Sequence, residues 1–486
     1  MIIFLAGCKK KTSTLYIVFN YNTLTKVPNK KSEIVTISTL MNFYDPLVRF
    51  DADFRPYPSL AEYWENPDSI TWVLKLRKNI KFVDGKSFTS EDVLYTFYKT
   101  MHDSTSDYRT DVHSIDTILA KGPYTVIFKL NSPCLNFLER ISQILIIENN
   151  CSPELLSSLS CGTGPLRFTK EDKNGTIYAI PNNEYFGRKV KFDKIIFITK
   201  DALAKNHLKS PNNKYFLFTI KPPNGFQKQL NFIKIPGPVN AIRYIGANTK
   251  RWPLNKKAFR RALYLALCRK KLADTISKLY GYPIIPAYEI ALFSQVGFLS
   301  YKTNDCIQRD SIQKLLKISG YRGEPIHLLL SKTRLPYAQF IKNNLKEVGI
   351  NIKIDPVKPS ELFKRVKGRE DLSLFLLALI PGSIDIHTTG LSYFHSREET
   401  KSLGAKNYFS YSNPSLDSLI EGVGQLSEEQ ERKKVLQKIE SMLIDELPVI
   451  PLVYEGDNYY ISKELNYKPH IDRVILANDI TLDNEY

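Results

Sequence analysis

Little in this 486-residue chain has the spacing of a reaction centre. The sequence lacks a Gly-x-Ser-x-Gly elbow, a His-Glu-x-x-His pair and any nucleophile, base and acid set, so no enzyme activity is expected. Neither a Cys-x-x-Cys pair nor a His/Cys cluster supports a metal site, and no cofactor is expected. What remains is the chemistry of binding. Asp385 stands a few residues past the apolar run Leu372 to Leu379, with His387 and His395 close behind it. The histidines could touch an unusual ligand, although a lone histidine is more often an ordinary polar residue. Asp385 could equally cap the helix that follows it.

The elements that must position these residues are legible in the hydrophobic pattern. Leu372 to Leu379 reads as a buried sheet strand. Ahead of it, the strand Ile326 to Leu330, a helix from Tyr337 to Val348 and a strand beginning at Gly349 predict a βαβ unit. Near the front, Trp72, Leu74 and Leu76 alternate with Thr71, Lys75 and Arg77 as in a half-buried strand. Asp84-Gly85 marks a turn, and Thr89 with Asp92 forms a capping box that opens a helix burying Val93, Leu94, Phe97 and Met101. Thr125 to Leu130 alternates again and ends in Asn131-Ser132-Pro133 before a helix from Phe137 to Ser142. By contrast, Pro211-Asn212-Asn213 and Pro222-Pro223-Asn224-Gly225 make Asp201 to Pro238 read as loops.

A chain of this length suits two or three domains. No apolar stretch of 18 or more residues is present, so no internal membrane span is expected. The net charge of +18 lies largely on helix faces, as in Lys256-Lys257, Arg260-Arg261 and Arg432-Lys433-Lys434. No nucleic-acid motif accompanies it, so no nucleic-acid partner is expected. A basic surface also suits a protein held near anionic lipid. Beyond Cys8, the cysteines are Cys134, Cys151, Cys161, Cys268 and Cys306, an odd number that leaves at least one thiol free. Cys268 reads as a small core residue. Cys151 and Cys161 could close a short loop in an oxidising compartment, worth up to about 3 kcal/mol.

Leu60-Ala61-Glu62-Tyr63-Trp64, then Leu76-Arg77 with Ile80-Lys81-Phe82-Val83-Asp84-Gly85, then Thr89-Ser90-Glu91-Asp92-Val93 closely resemble the signature of extracellular solute-binding proteins of peptide transporters. The likeness continues through Tyr44-Asp45-Pro46-Leu47-Val48, Gly162-Thr163-Gly164-Pro165, the helix around Phe259 to Arg269, Leu315 to Tyr321, Asn407 to Ile420 and Leu447 to Leu452. It covers most of residues 32 to 462 in collinear order. Met1 to Cys8 ends in Leu-Ala-Gly-Cys, which is similar to a bacterial lipobox. That implies a truncated lipoprotein signal over 1–8, lipidation of Cys8 and a tether beginning at Lys9-Lys10-Lys11. Only seven residues precede Cys8, none of them basic, so either the true start lies upstream or the lipobox is accidental.

The resemblance implies an α/β fold of the periplasmic-binding-protein type, a Venus flytrap with a discontinuous first domain. Its parts are expected at 9–43, 161–250 and 450–486, with a second domain at 44–160 and a third at 251–449. It also implies capture of short peptides and delivery to the permease of an ABC transporter, by a monomer anchored outside the cytoplasm. In the family an acid after the buried strand holds the peptide α-amine. Two registers are open in this chain. In one, the amine-binding position falls on Gly382 and the amine site is lost, and in the other it falls on Asp385; His387 is a further candidate contact. The alternatives to peptide are a nickel chelate, haem or cell-wall peptide, or an interaction module that has lost transport binding.

Overall fold

The computed structural model describes residues 12–483 except 24, 52–54, 135, 206–212, 224–230, 302–307, 369–371, 381–384, 402 and 427. Cys8, Cys306 and Gly382 therefore lie outside the described residues. Three large sheets build the molecule. The first has seven strands, in the order Phe232–Pro236, Asn458–Ser462, Lys214–Phe218, Thr14–Phe19, Lys194–Thr199, Ile177–Pro181 and Leu166–Glu171. Thr14–Phe19 lies inside it, parallel to both neighbours, and its Leu15, Ile17 and Val18 are wholly buried, as a strand covered on both faces requires.

The second sheet is antiparallel, with Ala61–Asp68, Thr71–Leu76, Thr125–Leu130 and Ile115–Ala120 in that order. Leu74 and Leu76 are buried and Lys75 is exposed as predicted, whereas Thr71, expected on the polar face, is buried and Trp72 is half-buried. The capping box of Thr89 and Asp92 opens the helix Ser90–His102 as the sequence predicts. These two sheets form one lobe, tied together around Asp45. Its buried carboxylate accepts from Tyr185 Oη at 2.9 Å and Thr163 Oγ1 at 2.7 Å and pairs with Arg49 at 2.9 Å. Gly162 and Gly164 run against the backbone of Phe43, where any Cβ would collide.

The third sheet makes the other lobe, in the order Ile284–Pro286, Val449–Glu455, Ala241–Ala247, Leu374–Leu379, Ile326–Ser331 and Ile352–Val357. The predicted βαβ unit is present, since Ile326–Ser331 and Ile352–Val357 pair in parallel across the helix Leu335–Lys346. Helices cover both faces, and separate apolar clusters fill the two sides.

Two expectations change. Asp201 to Pro238 holds the helix Lys200–Lys205 and the strands Lys214–Phe218 and Phe232–Pro236, which join the seven-stranded sheet. The proline and asparagine clusters flank these strands, and turn residues dominate a window whose strands are short. Further, the sheet pairing departs from the expected boundaries at 250 and 450. Ala241–Ala247 and Val449–Glu455 are neighbours in the six-stranded sheet, so the chain changes lobes at 237–240 and again at 456–457. Which sheet an apolar strand joins depends on its partner, which local pattern does not specify. The two crossings lie side by side, with Gly237 N–H donating to Asp457 O at 2.7 Å. Arg473 binds both, through Asn240 Oδ1 and Asp457 Oδ2, each at 2.5 Å.

Candidate functional site

Where the lobes meet, a cavity of about 220 Å³ opens. The four-stranded-sheet side supplies His113, Cys134 and Arg140, and the six-stranded-sheet side supplies His387, Leu391 and Glu421. Arg140 is carried by the short helix Phe137–Ile141, whose Phe137, Leu138 and Ile141 are buried in the core of the four-stranded sheet. His387 begins the helical turn His387–Thr389, which widens into a π-turn over Gly390–Phe394.

The two sides touch through polar groups. Arg140 Nη2 donates to His387 Nδ1 at 3.3 Å, and Asn136 Nδ2 donates to Thr388 Oγ1 at 3.0 Å. Lys367 reaches Asp107 at 3.1 Å, and Lys406 reaches Ser32 Oγ at 3.2 Å. His387 Nε2 lies 2.9 Å from Ile420 O; because a carbonyl only accepts, Nε2 carries the proton and Nδ1 is left as an acceptor. Burial, and after it the charges of Arg140 and Arg432, hold the His387 pKa well below the usual histidine range. Burial and Arg140 likewise push His113 down to about 4. Burial works against the charge of Lys406, yet Tyr393, Asp107 and Asp111 raise its pKa above the ordinary lysine value.

Asp385 is 4% exposed and faces into its own lobe. Its Oδ2 accepts from Arg432 Nη2 at 2.5 Å and Nε at 3.2 Å, and its Oδ1 accepts from the His387 backbone N–H at 2.9 Å. The carboxylate thus neutralises an internal arginine and caps the turn that presents His387. His395 is buried behind the cavity, with Nε2 2.9 Å from Glu421 Oε1 and Nδ1 2.6 Å from Ser396 O. The structure therefore brings His387 to the cavity and turns Asp385 toward Arg432. Cys151 and Cys161 form a disulfide beside the seven-stranded-sheet core, with Cα atoms 6.0 Å apart.

Sequence reasoning missed Arg140, His113, Asp107, Lys367 and Lys406. The one local signal was the charged pair Glu139-Arg140 inside the short, apolar-flanked helix Phe137–Ile141, which a search for charges on buried faces would have found.

Two α/β lobes joined by adjacent crossings, with a polar cavity at their seam, define a hinged ligand-binding protein. Residues 55–401 match the bacterial extracellular solute-binding proteins, family 5 Middle, and the chain belongs to this family. The oligopeptide-binding protein AppA of Bacillus subtilis is 24% identical over 480 residues, covering 88% of this chain and 84% of that protein. The uncharacterized protein YhjP of the same organism is 27% identical over 320 residues, 64% of this chain, and the match spans about half of YhjP, 49%. The periplasmic binding protein DppA of Helicobacter pylori, solved in complex with the peptide STSA, shares the fold, with a TM-score of 0.82 at 20% identity over 97% of this chain and 98% of that one. The fold is the Venus flytrap that the sequence implied.

Proposed function

We propose that this chain is the solute-binding component of an ABC transporter, closing its lobes over short peptides and delivering them to the permease. The observation that carries this reading is the cavity at the seam, walled by polar groups of both lobes, in a member of a solute-binding family. The oligopeptide-binding relative supports peptide as the solute. An extended peptide offers backbone groups that pair with the walls of such a cleft while its side chains enter hydrated space. Under this reading the protein is a monomer outside the cytoplasm, tethered by lipid on Cys8, with no chemistry of its own.

The two registers for the peptide amine then differ in cost. An amine held by Asp385 competes with Arg432, which already neutralises that carboxylate. We therefore assign Asp385 to positioning His387; in the other register the amine-binding position falls on Gly382, which offers the amine no acid. The same saturation of Asp385 favours, as a second reading, a ligand that lacks a free amine, such as a nickel chelate or haem.

Thermal unfolding with and without a pool of random tri- to pentapeptides tests this. A ligand at about 100 times its Kd adds about 2.7 kcal/mol of stability. A rise in Tm is expected, and it is expected to persist in Asp385→Asn. A rise abolished in a folded Asp385→Asn returns the amine to Asp385, and no rise at millimolar peptide overturns the peptide reading.

A further inference from the structure

Arg140 is 4% exposed, and among the described residues it differs from the other buried arginines in having no carboxylate or carbonyl to hold it. Arg49, Arg243, Arg432 and Arg473 pair with Asp45, Glu455, Asp385 and Asp457. Arg260 and Arg269 are bound by backbone carbonyl oxygens, among them Glu446 O at 2.9 Å and Pro451 O at 2.8 Å. Among the described residues no carboxylate oxygen lies within 4.0 Å of the Arg140 guanidinium. Its Nε has no hydrogen-bond partner. Asp111 is near enough to feel the charge without pairing with it.

The groups that do touch Arg140 are a poor match for a cation. His387 gives it one neutral lone pair, at Nδ1. His113 Nδ1 is 3.4 Å from Nη1, but the same nitrogen lies 2.8 Å from Thr110 O, so its proton points at that carbonyl and it offers Arg140 no acceptor. Both rings are held neutral, first by burial and then by Arg140 itself, so neither offsets the charge. A desolvated guanidinium with an unused Nε edge, facing a cavity, is matched by a carboxylate, whose two oxygens accept from the planar fork. The cavity of about 220 Å³ suits one end of a ligand rather than the whole of a long one.

Resting on the reading of this cavity as the ligand site, we propose that Arg140 is the subsite for a carboxylate of the ligand, supplied by a peptide C-terminus or by an acidic side chain. Because Arg140 comes from one lobe and its contact His387 from the other, the carboxylate neutralises charge at the seam and favours closure. The affinity of the purified chain for random tripeptides, measured by calorimetry, tests this with three pools: free C-termini, C-terminal amides without Asp or Glu, and C-terminal amides rich in Glu.

The wild type is expected to bind free acids at least tenfold more tightly than the Glu-free amides, and Arg140→Gln is expected to lose that preference. Tight binding of the Glu-rich amides assigns the carboxylate to a side chain, and weak binding assigns it to the C-terminus. Equal affinity of the wild type for all three pools overturns the subsite, and this comparison needs no variant. A folded Arg140→Gln that keeps the preference overturns it too, while leaving the peptide reading standing. Failure of the wild type to bind any pool overturns both.

Discussion

In the six-stranded-sheet lobe, several buried charges are paired within the lobe. Asp385 meets Arg432, and Glu455 is held by Arg243 and by Tyr337 Oη at 2.8 Å. Although burial opposes its ionisation, the charges of Arg243 and Arg334 hold Glu455 down to about 2. At the seam, Arg140 is buried to the same degree as Asp385 and, among the described residues, its guanidinium meets the neutral rings of His387 and His113. The first arrangement serves the stability of one lobe in any state of the hinge. Under the proposed reading the second is completed by the ligand, which is where a transport protein benefits from stabilisation that depends on its cargo.

The largest expected effect comes from breaking a matched pair. Arg432→Leu strands Asp385 as a buried carboxylate and is expected to cost about 3–5 kcal/mol in denaturant unfolding. Arg140→Gln, which removes a charge that has no carboxylate partner among the described residues, is expected to leave stability close to wild type. If both variants lost stability alike, the contrast between the lobe interior and the seam would fail.

Glu440 sharpens the comparison, because it is an acid inside the lobe with no cation. Burial and the neighbouring Glu289 raise its pKa to about 8, and its Oε1 accepts from the backbone N–H groups of Ile290 and Ala291. A raised carboxyl pKa favours folding fully below the unfolded value, near 4.5, and this contribution is lost as pH rises toward about 8. The wild type is expected to lose at most about 1.4 kcal/mol per pH unit across that window from this group. Glu440→Gln, which keeps the accepting oxygen, is expected to show a flatter Tm against pH between 5 and 8.

The smallest effect is expected at the rim of the seam. Lys367 is half exposed and pairs with Asp107, so Lys367→Ala is expected to change stability by about 0–1 kcal/mol. Small-angle scattering is expected to show a slightly larger open fraction without ligand, because a contact between the lobes is lost.

The family and the strongly patterned elements were legible in the sequence, whereas the short strands Lys214–Phe218 and Phe232–Pro236 were not. The capping box of Thr89 and Asp92, the alternation of Leu74, Lys75 and Leu76 and the βαβ unit around Leu335–Lys346 depend on neighbours a few residues apart, and local pattern records them. Tertiary structure decided the rest. Asp385 is one of two sequence candidates for the amine position, and only the tertiary structure shows that Arg432, 47 residues further on, binds its carboxylate. Arg140 meets His387 across 247 residues, and the strands 241–247 and 449–455 pair across a similar distance. Such contacts join segments whose local sequences carry no mark of each other. They exist because burying apolar faces fixes how the sheets stack, and the charged groups at the seam are placed by that packing rather than by their own neighbours.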